Sequence, residues 1–223
     1  PCHHPSAHTH RPASTPPRVV LPAWIAHGII VPLFRRSGAI SVIYGEQVVL
    51  REFRREDVGP IQAWVGNEEI TKYLGFVMFP QSLEETTAFV ERQLVRKSTP
   101  GEGVFVIALR DDPDMEYIGS VGLHGINWRD RHCELGIVIG REDLLDRGLG
   151  AEAIRLALGF AFNFLNMHKV NLKVFEYNER GRRCYAKSGF KEEGRIREQR
   201  FYEGRYWDEI VMGITREEFG AAR

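Results

Sequence analysis

The chain has 223 residues, 43% of them apolar, with 30 Lys plus Arg against 30 Asp plus Glu. That length holds one good-sized domain with an extension or two small domains, and the apolar share supports a substantial core. The charge balance argues against bulk binding to nucleic acid or an anionic membrane. Three widely spaced cysteines, Cys2, Cys133 and Cys184, form neither a disulfide framework nor a CxxC metal pattern, and this usage best fits a reducing, cytoplasmic-type compartment.

Residues 1–45 differ from the rest: they contain no Asp or Glu and hold seven of the 11 prolines. PCHHPSAHTHRPASTPP reads as a poorly ordered extension. VVLPAWIAHGIIVPLF follows, interrupted by Pro22 and Pro32 and short for a bilayer span; no small-residue cleavage site marks a secretory signal. His3, His4, His8 and His10 share one segment without a rigid scaffold, so no metal is expected there.

From Glu46 the pattern is that of a folded domain, expected to run over 46–217 with a short tail at 218–223. QVVLREF (47–53) predicts a strand. REDVGPIQAWV then spaces Val58, Ile61 and Val65 on one helical face, and EEITKYL adds a short turn of helix. Ser82 and Glu85 form a capping box ahead of a helix with Leu83, Val90 and Leu94 on one side. The period then changes to two. GVFVIALR (103–110), EYIGSVGLHGINW (116–128) and HCELGIVIG (132–140) predict three strands. An apolar helix starts within LLDRGLGAEAIRLALGFAF and ends near Asn166. VNLKVFEY (170–177) predicts a strand, ERGRRCYAKS a short helix stopped by Gly189, and two last strands lie near 190–200 and 206–214. The hairpins imply antiparallel pairing, and the strand–helix–strand unit 133–177 implies one parallel crossover. The expected class is α+β: a mixed sheet with helices on both faces.

Gly148 and Gly150 cost helix stability where the first turn of the apolar helix forms. N–H groups at a helix start are unpaired, the helix dipole adds positive charge, and bare backbone lets a bulky anion approach. DRGLGA therefore reads either as a phosphate-binding turn, with donors at Gly148, Leu149, Gly150 and Ala151 and a charge from Arg147, or as a tight strand-to-helix turn. GLGAEA also fits the dinucleotide pattern G-x-G-x-x-A, with Glu176 as the ribose acid. Against that, seven residues separate Gly140 from Gly148, and only 47 follow Glu176. No G-x-x-x-x-G-K-[ST] occurs.

CELGIVIGREDLLDRGLGAEAI, followed by NERGRRCYAKSGF, resembles the GNAT superfamily of N-acetyltransferases, in the look of its ribosomal-protein N-terminal and spermidine acetyltransferase branch. The likeness covers about residues 46 to 217. The family motif Q/R-x-x-G-x-G/A places its glycines on Gly148 and Gly150, while its first position is Leu145. The resemblance implies a twisted, mostly antiparallel sheet of six to seven strands with one splayed parallel pair. It also implies acetyl-CoA as donor, its pyrophosphate on the N–H groups of Arg147 to Ala151. The pantetheine would run along the backbone of Ile137, Val138 and Ile139, where strands 133–140 and 170–177 part.

Tyr185 corresponds to the family's general acid, which protonates the departing thiolate. Asn178, two helical turns earlier, shares its face and reads as both helix N-cap and cofactor contact. Arg183, like Arg180 and Lys187, reads as a contact to the nucleotide phosphates or as part of a solvated basic face. A base must deprotonate the acceptor ammonium, directly or through water. Glu134 is the candidate, its alternative being a cross-strand partner for an Arg, and His124 stands in reserve. An oxyanion contact from an N–H near Val138 is expected at a strand bulge. Cys184 points away from Tyr185 by helix rotation, which favours direct transfer over an acetyl-cysteine. GFVMFPQS (75–82) offers no carboxylate, so the acceptor reads as a peptide N-terminus or a small amine ahead of a polyamine or aminoglycoside. A non-catalytic acyl-CoA sensor, a homodimer and a role for REQRFYEGRYWDE at the acceptor remain open.

Overall fold

The computed structural model describes residues 42–75, 80–95 and 101–221. The proline-rich leader with its histidines, the whole Phe76–Phe79 run, residues 96–100 and the last two residues lie outside the described residues. The β-branched runs become strands β1 (Ile43–Tyr44), β2 (Val48–Arg51), β3 (Gly103–Leu109), β4 (Gly119–Asn127), β5 (His132–Ile139), β6 (Lys169–Phe175), β7 (Lys191–Tyr202) and β8 (Arg205–Thr215). They form one eight-stranded sheet in the order β1-β2-β3-β4-β5-β6-β8-β7. Every neighbouring pair is antiparallel except β5 with β6. The sheet is thus mixed and mostly antiparallel, as the hairpin pattern predicts.

Two boundaries differ from the sequence reading. Strand β1 precedes Glu46: Ile43 pairs with Leu50, and Gly45 N–H donates to Val48 C=O (2.9 Å) to close the hairpin. At the other end, Arg216–Ala221 is a helix, α6 below, whose Phe219 packs on Phe162 with ring centroids 5.3 Å apart. Burial of that single aromatic turns an expected tail into part of the core.

Strand alternation sorts the helices onto two faces. Ile107, Leu123, Cys133, Leu135, Val170, Leu172 and Ile210 point to the face covered by α4 (Leu149–Gly159). Val104, Val106 and Val138 point to the other, covered by α1 (Val58–Val65), α2 (Glu68–Thr71) and α3 (Leu83–Val95). Helices α5 (Glu179–Lys187) and α6 (Arg216–Ala221) complete the fold. The capping box of α3 is present: Ser82 N–H donates to Glu85 Oε2 (2.8 Å) and Glu85 N–H to Ser82 Oγ (3.2 Å). Val90 is buried as expected, but Leu83 is 55% exposed; Thr86 takes the inner position by donating to Gln62 Oε1 (2.6 Å). Helix α4 is buried almost throughout and runs into a π turn, Phe160–Phe164. Its buried Glu152 accepts the N–H groups of Glu46 and Gln47, tying the β1–β2 hairpin to the helix. Among the described residues no helix is long and apolar enough to cross a membrane.

Candidate active site

Strands β5 and β6 are paired only at His132–Lys169, Cys133–Val170 and Glu134–Asn171. Beyond that point β5 stays with β4 as far as Ile139–Gly119, and β6 stays with β8 as far as Phe175–Glu209. From Leu135 onward the two parallel strands carry no ladder between them. A cavity of ≈ 900 Å³ lies at this opening, bounded by Glu134–Val138 of β5, Lys173–Phe175 of β6, and Asn178 and Tyr185.

The DRGLGA turn meets the end of β5 and the start of α4. Asp146 (φ 58) and Gly148 (φ 82) both adopt the left-handed conformation, which Gly148 accepts without a Cβ penalty. Gly148 is the N-cap and offers no side-chain cap. The first bond closing the helix runs from Glu152 N–H to Gly148 C=O (3.1 Å). The N–H groups of Leu149, Gly150 and Ala151 lie ahead of it and find no acceptor among the described residues. A Cβ on Gly148 would meet nothing within 4 Å, and one on Gly150 would meet only Ile139 Cγ1 (3.9 Å) and Cys184 Sγ (4.0 Å). Protein packing therefore does not enforce glycine at 150. Bare backbone, free donors and a dipole's positive end are what a diphosphate needs.

Of the residues singled out in the sequence, Tyr185, Asn178, Glu134, Ile137 and Val138 line the one cavity. Ile139 borders the glycine turn. Arg147 and Leu149 line a second hollow of ≈ 450 Å³ with Glu46, Gln47, Leu109, Arg110 and Asp111. Arg183 is exposed, pairs with Glu179 (3.3 Å), and lines neither.

Asn178 caps α5, its Oδ1 accepting Gly181 N–H (2.8 Å), while also facing the cavity. Gly189 (φ 95) ends the same helix, so Phe190 N–H returns to Tyr185 C=O (3.1 Å) and the two rings pack edge to face at 6.1 Å. The Tyr185 hydroxyl has no hydrogen-bond partner among the described residues. Its burial, and secondarily the neighbouring Cys184, pushes its pKa above the ordinary tyrosine range. Burial likewise raises the Cys184 thiol, which leaves that sulfur protonated and a poor nucleophile.

Glu134 is half exposed, and its partner is Lys173 (Nζ to Oε2 3.8 Å) rather than an arginine. The β4–β5 register shift falls between His124 and Asn127, around Gly125 (φ 55), while Val138 sits in register opposite Ser120. The expected bulge at Val138 is thus replaced by one at the far end of the pair. The opening next to Val138 comes from the divergence of β6. Sequence reasoning missed the cavity's floor, Ser120, Gly122 and Gly136, and its roof, Glu85, Phe89 and Arg92 of α3. Gly122 and Gly136 are direct cross-strand partners, and glycine inside a strand signals close approach by another group.

Residues 47–191 match the family model described as acetyltransferase (GNAT) domain. The spermidine N(1)-acetyltransferase of Vibrio cholerae is 31% identical over 173 residues, covering 78% of this chain and 95% of that protein. A putative ribosomal N-acetyltransferase of Bacillus subtilis, YdaF, is 22% identical over 176 residues, covering 78% and 94%. Among solved structures, the Vibrio cholerae spermidine N-acetyltransferase in complex with CoA and spermine superposes with a TM-score of 0.67 at 30% identity, covering 78% of this chain and 99% of that one. The chain is a member of the GNAT acetyltransferase family.

Proposed function

We propose that this acyltransferase uses acetyl-CoA to acetylate a primary amine, a peptide or protein N-terminus or a small amine, by direct transfer within a ternary complex. The observation that carries the reading is the open turn Arg147–Ala151 with its free N–H groups, set beside the parting of β5 and β6. Gly148 and Gly150 leave the space a diphosphate requires, and Ile137–Ile139 offer strand edge to an extended arm. Bound there, acetyl-CoA supplies the thioester acyl donor. Tyr185 then stands as the proton donor to the sulfur. Burial disfavours a phenolate, but it disfavours a thiolate beside it as well, so proton transfer between the two is not opposed by the site.

The acceptor side of the cavity carries Glu85, Glu134 and Glu209 together with Arg92 and Lys173. Glu85 is also engaged by its own helix cap and Glu134 by Lys173. This mixed charge supports an amine of low charge better than a polyamine, which calls for uncompensated carboxylates. The Vibrio cholerae relatives keep spermidine and spermine as the second reading.

The test is a coenzyme-thiol release assay with acetyl-CoA and peptides, polyamines and aminoglycosides in parallel. Turnover with a peptide or monoamine in preference to spermidine is expected. Tyr185→Phe should lower kcat by about 10²-fold or more with coenzyme A affinity kept. A wild-type protein that binds coenzyme A but turns over no amine would make the domain an acyl-CoA sensor.

A further inference from the structure

Four polar residues form a row across the sheet on the α1–α3 face. Gly103 pairs with Leu123, which brings Glu102, just ahead of β3, beside His124, with Oε2 3.9 Å from Nδ1. His124 pairs with Glu134, and Glu134 with Asn171. Directly opposed residues of neighbouring strands project from one face. The His124 ring leans back along β4: its Nε2 is 2.6 Å from the place a Cβ on Gly122 would take and 3.5 Å from that on Gly136. The cross-strand glycine pair is thus the bed on which the imidazole lies. One ring nitrogen faces a carboxylate, and the ring lines the cavity that also holds Tyr185.

We infer that His124, set beside Glu102, is the base that takes the proton from the acceptor ammonium, while Glu134 is engaged by Lys173. The inference rests on the acetyltransferase reading above. A carboxylate on the Nδ1 side favours the tautomer protonated there, which leaves the Nε2 lone pair available. Imidazole is the side chain most often used as a general base, and Glu134 is already engaged by Lys173. The charged groups around the ring are Glu102, Glu134 with Lys173 behind it, and, from α3 across the cavity, Glu85 and Arg92.

A primary ammonium carries two protons more than the amide N–H it becomes. Nε2 takes the first, freeing the nitrogen lone pair to form the C–N bond. The C–S bond breaks with its electron pair on sulfur, which takes the Tyr185 proton. The second ammonium proton restores the phenol, and the imidazolium returns its own to solvent.

The experiment records kcat/KM against pH for the wild type, His124→Gln, Glu102→Gln and Gly122→Ala, with coenzyme A affinity as control. His124→Gln should lose about 10²-fold or more at pH 7 together with the acidic limb of the profile. Glu102→Gln should lose several-fold and move that limb to lower pH. Gly122→Ala should lose activity chiefly through displacement of the ring, whose Nε2 its Cβ would meet at 2.6 Å, ahead of Val104 Cγ2 at 3.2 Å. A His124→Gln profile that keeps its acidic limb and lies within threefold of the wild type overturns the assignment. A readout independent of turnover is the ¹⁵N spectrum of the imidazole, assigned by its loss in His124→Gln. A neutral ring protonated on Nδ1, titrating lower in Glu102→Gln, supports the dyad; a ring protonated on Nε2 and indifferent to Glu102→Gln overturns it. Failure of the wild type with every amine counts against the acetyltransferase reading, and the spectrum still decides the dyad.

Discussion

The two faces of the sheet are built from the same strands and serve opposite ends. On the α4 face, alternate residues of β2 to β6 and of β8 meet helix side chains that are almost all buried, from Leu50 and Ile107 to Leu158 and Phe162. On the α1–α3 face the same strands present Ser120, Gly122, His124, Glu134 and Gly136 to a cavity. A two-residue period lets a strand close a core with one set of side chains and leave a working surface with the other. The open face packs around its cavity through Phe53, Ile61, Trp64, Val90, Val106 and Tyr117. At its edge a polar contact is added, where Arg51 and Asp57, nearly inaccessible, form a two-pronged ion pair (2.6 and 2.9 Å). Arg51 Nε donates further to Met115 C=O (2.8 Å), and Asp57 Oδ2 accepts Arg54 N–H (2.7 Å).

Substitutions can break that contrast. The largest expected loss is at the edge of the open face: Asp57→Ala leaves a buried guanidinium uncompensated and should cost about 3–5 kcal/mol in urea unfolding. On the closed face Leu158→Ala, at a fully buried site, should cost about 2–5 kcal/mol by cavity formation and leave coenzyme A affinity unchanged. The smallest effect lies at α6. The Lys191 ammonium, with the Thr215 N–H and hydroxyl, holds the Glu218 carboxyl down at about 2 against an ordinary 4.5. A depressed carboxyl stabilises above its unfolded pKa and loses that contribution as pH falls through the folded one. Glu218→Gln should thus be slightly less stable than the wild type at pH 7, by no more than about 1 kcal/mol. The difference should vanish as acid unfolding is followed from about 4.5 down to about 2.

Local chemistry was legible in the sequence. The Ser82–Glu85 capping box, the stop at Gly189, the Asn178 cap and the bare turn at Gly148 each depend on neighbours a few residues away, and each stands where the residue types place it. What escaped depends on register between distant strands. Nothing in SVGLHG or ELGI alone says that Gly122 faces Gly136, or that Glu102 lies beside His124. Strand β1 escaped because two residues carry no period, and α6 because its one buried anchor, Phe219, needs Phe162 to explain it. The position of the bulge followed Gly125 and not the chemistry expected at Val138.

The central claim is that the turn Arg147–Ala151 receives the diphosphate of coenzyme A, and calorimetry of coenzyme A with the wild type and Gly150→Glu tests it most directly. A Cβ at 150 meets only ordinary contacts, and an acidic side chain in a helix's first turn favours the fold. The account predicts measurable binding by the wild type and a loss of tenfold or more in Gly150→Glu, with no fall in its melting temperature. Equal affinity in the two proteins, or no heat from the wild type at millimolar coenzyme A, would contradict it.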